Sequence, residues 1–241
     1  MTSSRIRAVA ALPLVAVLLV LAAGCGGKDN KSGADSAFAK ESGDKIAASA
    51  KADMKTLDEV KFTGEINSGG DSIKLDIQAS SAGDCTGTIG IGDGTAEVLA
   101  KDGTNWFRPD EAFWRANAGA SADAIIAAVG DKWVLDTDAN FSQFCDLNAF
   151  FDNVFKDDAT ASKYKTTGTS TVDGKDVVKV EQTDATGTAT GYVLIDGKHY
   201  LVKLERTEGD QPGKVEFTDF NKKFTVEAPA DNEIIDLNSL Q

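Results

Sequence analysis

The chain has 241 residues, a formal charge of −13 at pH 7, 7% aromatic residues, three cysteines and a single histidine. So acidic a surface repels phosphate backbones, which excludes nucleic-acid binding, and it does not adhere to anionic lipid by charge. One histidine, with two of the three cysteines expected to pair, leaves no ligand set for a zinc site.

The amino end has three parts. Arg5 and Arg7 give a positive start, Ala8 to Leu21 is apolar apart from Pro13, and Leu21-Ala22-Ala23-Gly24-Cys25 follows. A positive start, a short apolar core and a small-residue cleavage site describe a secretory signal. The apolar run falls short of the ~20 residues that span a bilayer. Arg5-Ile6-Arg7 is not a twin-arginine pair, which points to general secretion. The segment ending at Cys25 resembles a lipobox. That resemblance implies cleavage before Cys25 and a diacylglyceryl thioether on it, with acyl chains of the palmitate kind. An ordinary signal with a chance cysteine is the alternative. Two acyl chains, at ~0.8 kcal/mol per buried CH₂, hold a protein stably where one does not. The expected layout is therefore a signal over 1–24, a tether over 25–35 and one domain over 36–241. The expected location is the extracytoplasmic face of the cell membrane, and the chain is expected to be a monomer. The tether from Gly26 to Asp35 has no apolar pattern and a root-mean-square reach of roughly 18 Å.

Cys85 and Cys145 remain. In an exported protein an even pair favours a disulfide over two buried thiols. It would close a loop of about 60 residues, worth about 4 kcal/mol on the chain-entropy account.

Phe38, Ile46, Ala50, Met54 and Leu57 recur at helical spacing, which predicts a thinly apolar surface helix over 36–57. The period then becomes two. Val60, Phe62 and Ile66, and then Ile73, Leu75 and Ile77, alternate with polar residues, the pattern of antiparallel strands with one wet face. Thr86 to Ile91 and Thr95 to Lys101 continue it. Asp-Gly pairs at 93–94, 102–103, 173–174 and 196–197 lie between extended runs and signal hairpins. The middle third differs. Pro109, Asp110 and Glu111 predict a helix start, with Pro109 at the first position. Helices are expected over 110–117 and 121–129, a short strand at Trp133–Leu135 and a phenylalanine-rich helix over 141–155. After Lys165 strands return, including Val178–Glu181, Gly191–Asp196, Tyr200–Glu205, Lys214–Phe217 and Phe224–Pro229. Two strand groups around a helical insert describe an α+β architecture.

No catalytic constellation is legible. His199, between Lys198 and Tyr200, reads as a solvated strand residue rather than a base. Asp136, Asp138 and Asn140 open like a calcium loop, but Phe141 stands where glycine is required and Leu147 where glutamate is required. Gly90 to Gly94 lacks the spacing of a phosphate loop. Asp110-Glu111 and Asp157-Asp158 are adjacent acids in a chain with 38 of them. What stands out is the aromatic middle third, which either fills the core or lines an apolar cavity.

Together, the lipobox and amphipathic helix, the strands from Val60 to Lys101, the pair 191–196 and 200–205, and the ending Val215-Glu-Phe-Thr-Asp-Phe220 with Phe224-Thr-Val-Glu-Ala-Pro229 resemble the LppX/LprG-type lipoproteins, relatives in fold of the LolA/LolB carriers. The resemblance implies a single strongly curved antiparallel sheet, a half-barrel, with helices on its concave face and an apolar cavity between them for a lipid or glycolipid. The middle insert with Trp106, Cys85 and Cys145 departs from that pattern. The reading is a non-enzymatic lipoprotein, needing no cofactor, anchored through Cys25. Its expected cavity residues are Phe144, Leu147, Phe151, Trp106, Phe113 and Ile125. The rival reading is an envelope interaction or sensor protein with a filled core.

Overall fold

The computed structural model describes residues 36–68, 70–137, 141–155, 163–185, 187–209 and 212–240. The signal, Cys25 and the tether lie outside these residues, as do Asp138, Asn140, Asp157 and Asp158.

Alternating side chains build one large, open, strongly curved sheet of 12 strands, antiparallel except at one edge. The first arm is a meander of β1 (Glu59–Ser68), β2 (Asp71–Ser80), β3 (Cys85–Ile91), β4 (Gly94–Lys101), β5 (Thr104–Pro109) and β6 (Trp133–Leu135). The second arm is β7 (Lys165–Val172), β8 (Lys175–Asp184), β9 (Gly187–Leu194), β10 (Leu201–Arg206) and β11 (Gly213–Thr218). The arms join where β1 pairs with β11, opposing Phe62 to Phe217. Asp102-Gly103 and Asp173-Gly174 both take positive φ and close two-residue hairpins, as their sequence predicts.

Four α-helices among the described residues accompany the sheet: α1 (Gly43–Met54), α2 (Glu111–Asn117), α3 (Ala122–Val129) and α4 (Leu147–Val154). Helices and sheet share one core. Ile46, Ala50 and Met54 of α1, and Leu147 and Phe151 of α4, are buried with Val60, Phe62, Ile77 and Phe217 of the strands. The Cys85–Cys145 disulfide ties β3 to the turn before α4.

Several local expectations are corrected. The helix expected over 36–57 is a 3₁₀ turn, Phe38–Lys40, followed by α1. Ser42 is extended at ψ 148° and precedes α1, and Gly43 lies against the backbone of Tyr164, where a Cβ would stand 2.4 Å from the carbonyl oxygen. The helix expected over 141–155 is likewise broken. A 3₁₀ turn, Ser142–Phe144, precedes the tethered Cys145, and Asp146 then caps α4 by accepting from the N–H groups of Asn148 and Ala149. Pro109 ends β5 rather than starting α2, and Asp110 is the cap, accepting from Phe113 N–H. The Phe224–Pro229 segment pairs with no strand. It belongs to a strap that leaves β11, donates Asn221 N–H to Glu59, accepts from Gln78 at the Lys222 carbonyl, and ends in β12 (Ile234–Ile235), parallel to β6. Gln78 points away from the buried Ile77 and Ala79, so the strap crosses the sheet's outer face, where no ladder partner exists.

Candidate functional site

A hollow of about 550 Å³ lies on the concave face of the second arm. Its floor is made by inward residues of three neighbouring strands: Val180, Gln182 and Asp184 of β8, Ala189, Gly191 and Val193 of β9, and Leu201, Leu204 and Arg206 of β10. Its roof is made by Ala47 and Ala50 of α1, Asn153 and Val154 of α4, and the adjoining Phe155, with Tyr164 at the side.

Sequence and docking explain why this space is open. The α1 stripe turns Ala47 and Ala50 toward the sheet, and these side chains stop after one carbon. On β9 the inward positions are Ala189 and Gly191, whereas the outward ones are Thr190 and Tyr192. Small residues therefore face each other across the gap. The roof is held from both ends. Asp44 accepts Tyr164 N–H at 3.1 Å, tying the start of α1 to the approach to β7. Asp53, near its end, accepts His199 N–H at 2.8 Å and pairs with Lys198 at 3.0 Å. Burial pushes the Asp53 carboxyl up, but the His199 N–H and the Lys198 ammonium outweigh it and hold it below its ordinary value. Lys51 donates to the Phe155 carbonyl at 3.1 Å, and Lys55 meets Asp152, joining α1 to α4.

The hollow has two chemically different ends. Val180, Val193 and Leu201 make one end apolar. At the other, Arg206 and Asp184 form a two-pronged ion pair, at 3.1 and 3.0 Å, beside Gln182. The two residues belong to β10 and β8 and meet across β9, whose Ala189 is small enough to let them. Below the floor, on the outer face, Tyr192 donates to Glu205 at 3.1 Å and Lys203 lies 4.7 Å above the Tyr192 ring. Burial and the Glu205 bond raise the Tyr192 phenol, while the hydrogen bond from Lys203 holds Glu205 low against its burial. These contacts brace the floor and take no part in the hollow.

No protein-family profile matches the sequence, and no curated protein does. Solved structures do. LprF from Mycobacterium bovis superposes with a TM-score of 0.56 at 14% identity, over 78% of this chain and 97% of that one. The Mycobacterium tuberculosis lipoprotein LppX matches with a TM-score of 0.49 at 13% identity, over 76% of this chain and 98% of that one. The chain shares the fold of LprF. At this level of identity the likeness is one of fold.

None of the six residues expected in the cavity lines the hollow. Leu147 and Phe151 are buried in the core under α4, and Phe113 is buried against Trp114 and Phe141. Phe144 and Ile125 pack on the edge of that core. Trp106 is on the other side of the sheet. It pairs with Leu99 and Leu135, whereas its neighbour Phe107 turns inward to Trp114 and Phe141. Strand alternation alone assigns Trp106 to the outer face once Phe107 is inside. The hollow's own residues went unnoticed because they are small. The signal was present in β9, where Gly187, Ala189 and Gly191 occupy three successive alternate positions.

His199 is corrected as well. It sits in the loop between β9 and β10, half-buried, stacked 3.5 Å from Phe38, with its Nδ1 3.0 Å from the Leu194 carbonyl. Asp136, the first residue of the supposed calcium loop, is buried and accepts Phe141 N–H. Among the described residues no acid, histidine or cysteine cluster could hold a metal, and no helix is long and apolar enough to cross a membrane.

Proposed function

We propose that the chain is an extracytoplasmic lipoprotein that holds a lipid in the hollow between β8–β10 and the α1–α4 roof, while an acylated Cys25 tethers it to the outer face of the cytoplasmic membrane. The observation that carries this reading is the hollow itself. Its volume of about 550 Å³ falls among ligand sites of ~300–1,000 Å³, and it pairs an apolar end with a polar one. Burial of acyl carbons at ~0.8 kcal/mol per CH₂ drives binding, and no covalent chemistry is required. Native mass spectrometry of protein extracted from its own membrane tests it. The expected spectrum carries the mass of a Cys25-linked diacylglyceryl group and a second, dissociable lipid. Loss of the dissociable lipid in Ala50→Trp, with the fold intact by circular dichroism, ties that lipid to the hollow. A wild-type spectrum without dissociable lipid would leave the rival reading, an envelope interaction protein.

A further inference from the structure

Resting on the lipid-binding reading, we infer that the hollow takes a single-chain amphiphile with an uncharged polar head, and that the phenylalanines of α4, with Phe155 just after it, set this limit. The argument begins with volume. A benzene ring fills a protein cavity of about 150 Å³, so a hollow of about 550 Å³ accommodates roughly 20 carbon atoms. That is one long acyl chain with a small head. Two chains of ordinary length exceed it.

The space does not continue along the sheet. Over the β1–β11 junction, Phe150 stacks on Phe62 at 4.5 Å and meets Phe217 at 6.2 Å. Phe151 lies 6.2 Å from Phe217 and 6.4 Å from Phe155. Phe62, Phe151 and Phe217 are fully buried, so these rings pack into the core instead of lining the open hollow. Phe155 is the last ring of this series and also lines the hollow from its roof, which makes it the wall between the hollow and this aromatic core and the limit on how far a chain can extend toward it. A smaller space of about 300 Å³ lies beyond Ala47, Phe155 and Tyr164. Asp44 and Lys51 line it, and charges of this kind do not solvate a second acyl chain.

The head follows from the opposite end. Arg206 and Asp184 are bound to one another, so their charges cancel, and Gln182 beside them is neutral. An ionised carboxylate or phosphate head would have to displace Asp184 from Arg206 in a strongly acidic protein. Hydroxyl groups meet no such competition.

The test uses the delipidated full chain and competition against a fluorescent monoacylglycerol. The competitors are monoacylglycerols of roughly 10 to 22 carbons, dipalmitoylglycerol, and palmitate at pH 8. Affinity should climb about fourfold per methylene until the hollow is full, then level off. Dipalmitoylglycerol should compete at least an order of magnitude more weakly than monopalmitoylglycerol, and so should palmitate. Phe155→Ala should move the plateau to longer chains. Ala47→Phe, which narrows the hollow from the roof and leaves Phe155 in place, should move it to shorter ones. Equal competition by the two-chain lipid, tighter binding of palmitate, or a plateau that neither variant moves would overturn this inference and leave the lipid-binding reading standing. Failure of every lipid to compete would overturn both.

Discussion

The two arms of the sheet are built on the same alternation and end in different states. In the first arm one inward row runs Phe62, Ile77, Gly87, Val98, Phe107 and Val134 across six neighbouring strands. Helices α2 and α4 and their aromatic rings fill the concavity above it. In the second arm the corresponding row is Val215, Leu204, Gly191 and Val180, and the helix above it presents alanines. A curved sheet covered by large side chains is core, and the same sheet covered by small ones is a cavity. The arms also differ in how closely the helices approach. Gly94 of β4 touches α2 so tightly that a Cβ would stand 2.4 Å from the Phe113 Cα, whereas a Cβ on Gly191 would meet the end of the Leu201 side chain at 3.2 Å and the Val180 carbonyl oxygen at an ordinary 3.8 Å.

The disulfide offers the largest way to break this contrast. It anchors α4, which fills the first arm and roofs the second. Cys85→Ser/Cys145→Ser, or reduction, should cost about 4 kcal/mol for a loop of 60 residues, read as a lower urea midpoint. The same change should weaken lipid retention, because the hollow loses a fixed wall. Next is Gly94→Ala. Backbone atoms cannot yield as a side chain does, so α2 must shift, and a loss of about 1–3 kcal/mol is expected in the same assay.

Asp53 tests the roof's attachment to the second arm. Its carboxyl is held below the ordinary value of 3.8, so its contribution is complete above that pH and disappears as pH falls through the lowered folded-state value. Asp53→Asn should cost about 1 kcal/mol at pH 7, since an amide accepts the His199 and Lys198 hydrogen bonds less strongly. Urea midpoints of the variant and the parent should converge below pH 4; a constant difference across that window would show that the charge is not what matters. The smallest effect on stability is expected at Gly191→Ala, about 0.5 kcal/mol or less in either direction, because its neighbour is a movable leucine end. Its effect should appear in binding instead, as a preference for shorter chains. A large loss of stability there would mean that the second arm is as tightly filled as the first.

Much of the fold was legible along the chain because its signals are local. Ile73, Leu75 and Ile77 alternate in β2 as they must with one face wet, and Asp102-Gly103 and Asp173-Gly174 supply the positive φ their hairpins need. The even cysteine pair pointed to the bond that the structure contains. The helix at 141–155 misled for an equally local reason. Phenylalanines at helical spacing do not reveal that Cys145 is bonded and that Asp146 begins a new helix.

By itself, the sequence determined which residues share a face of each strand, the α+β class, and the concentration of aromatics in the middle third. It did not decide what stands opposite each face. Ala50 and Gly191 are more than a hundred positions apart and border one hollow, while Phe62 and Phe150 stack to close the adjoining space. Large side chains announce themselves in a sequence and then fill the volume they reach. A cavity belongs to the positions where small ones are brought face to face, and only the packing of α1 and α4 on the curved sheet makes that pairing.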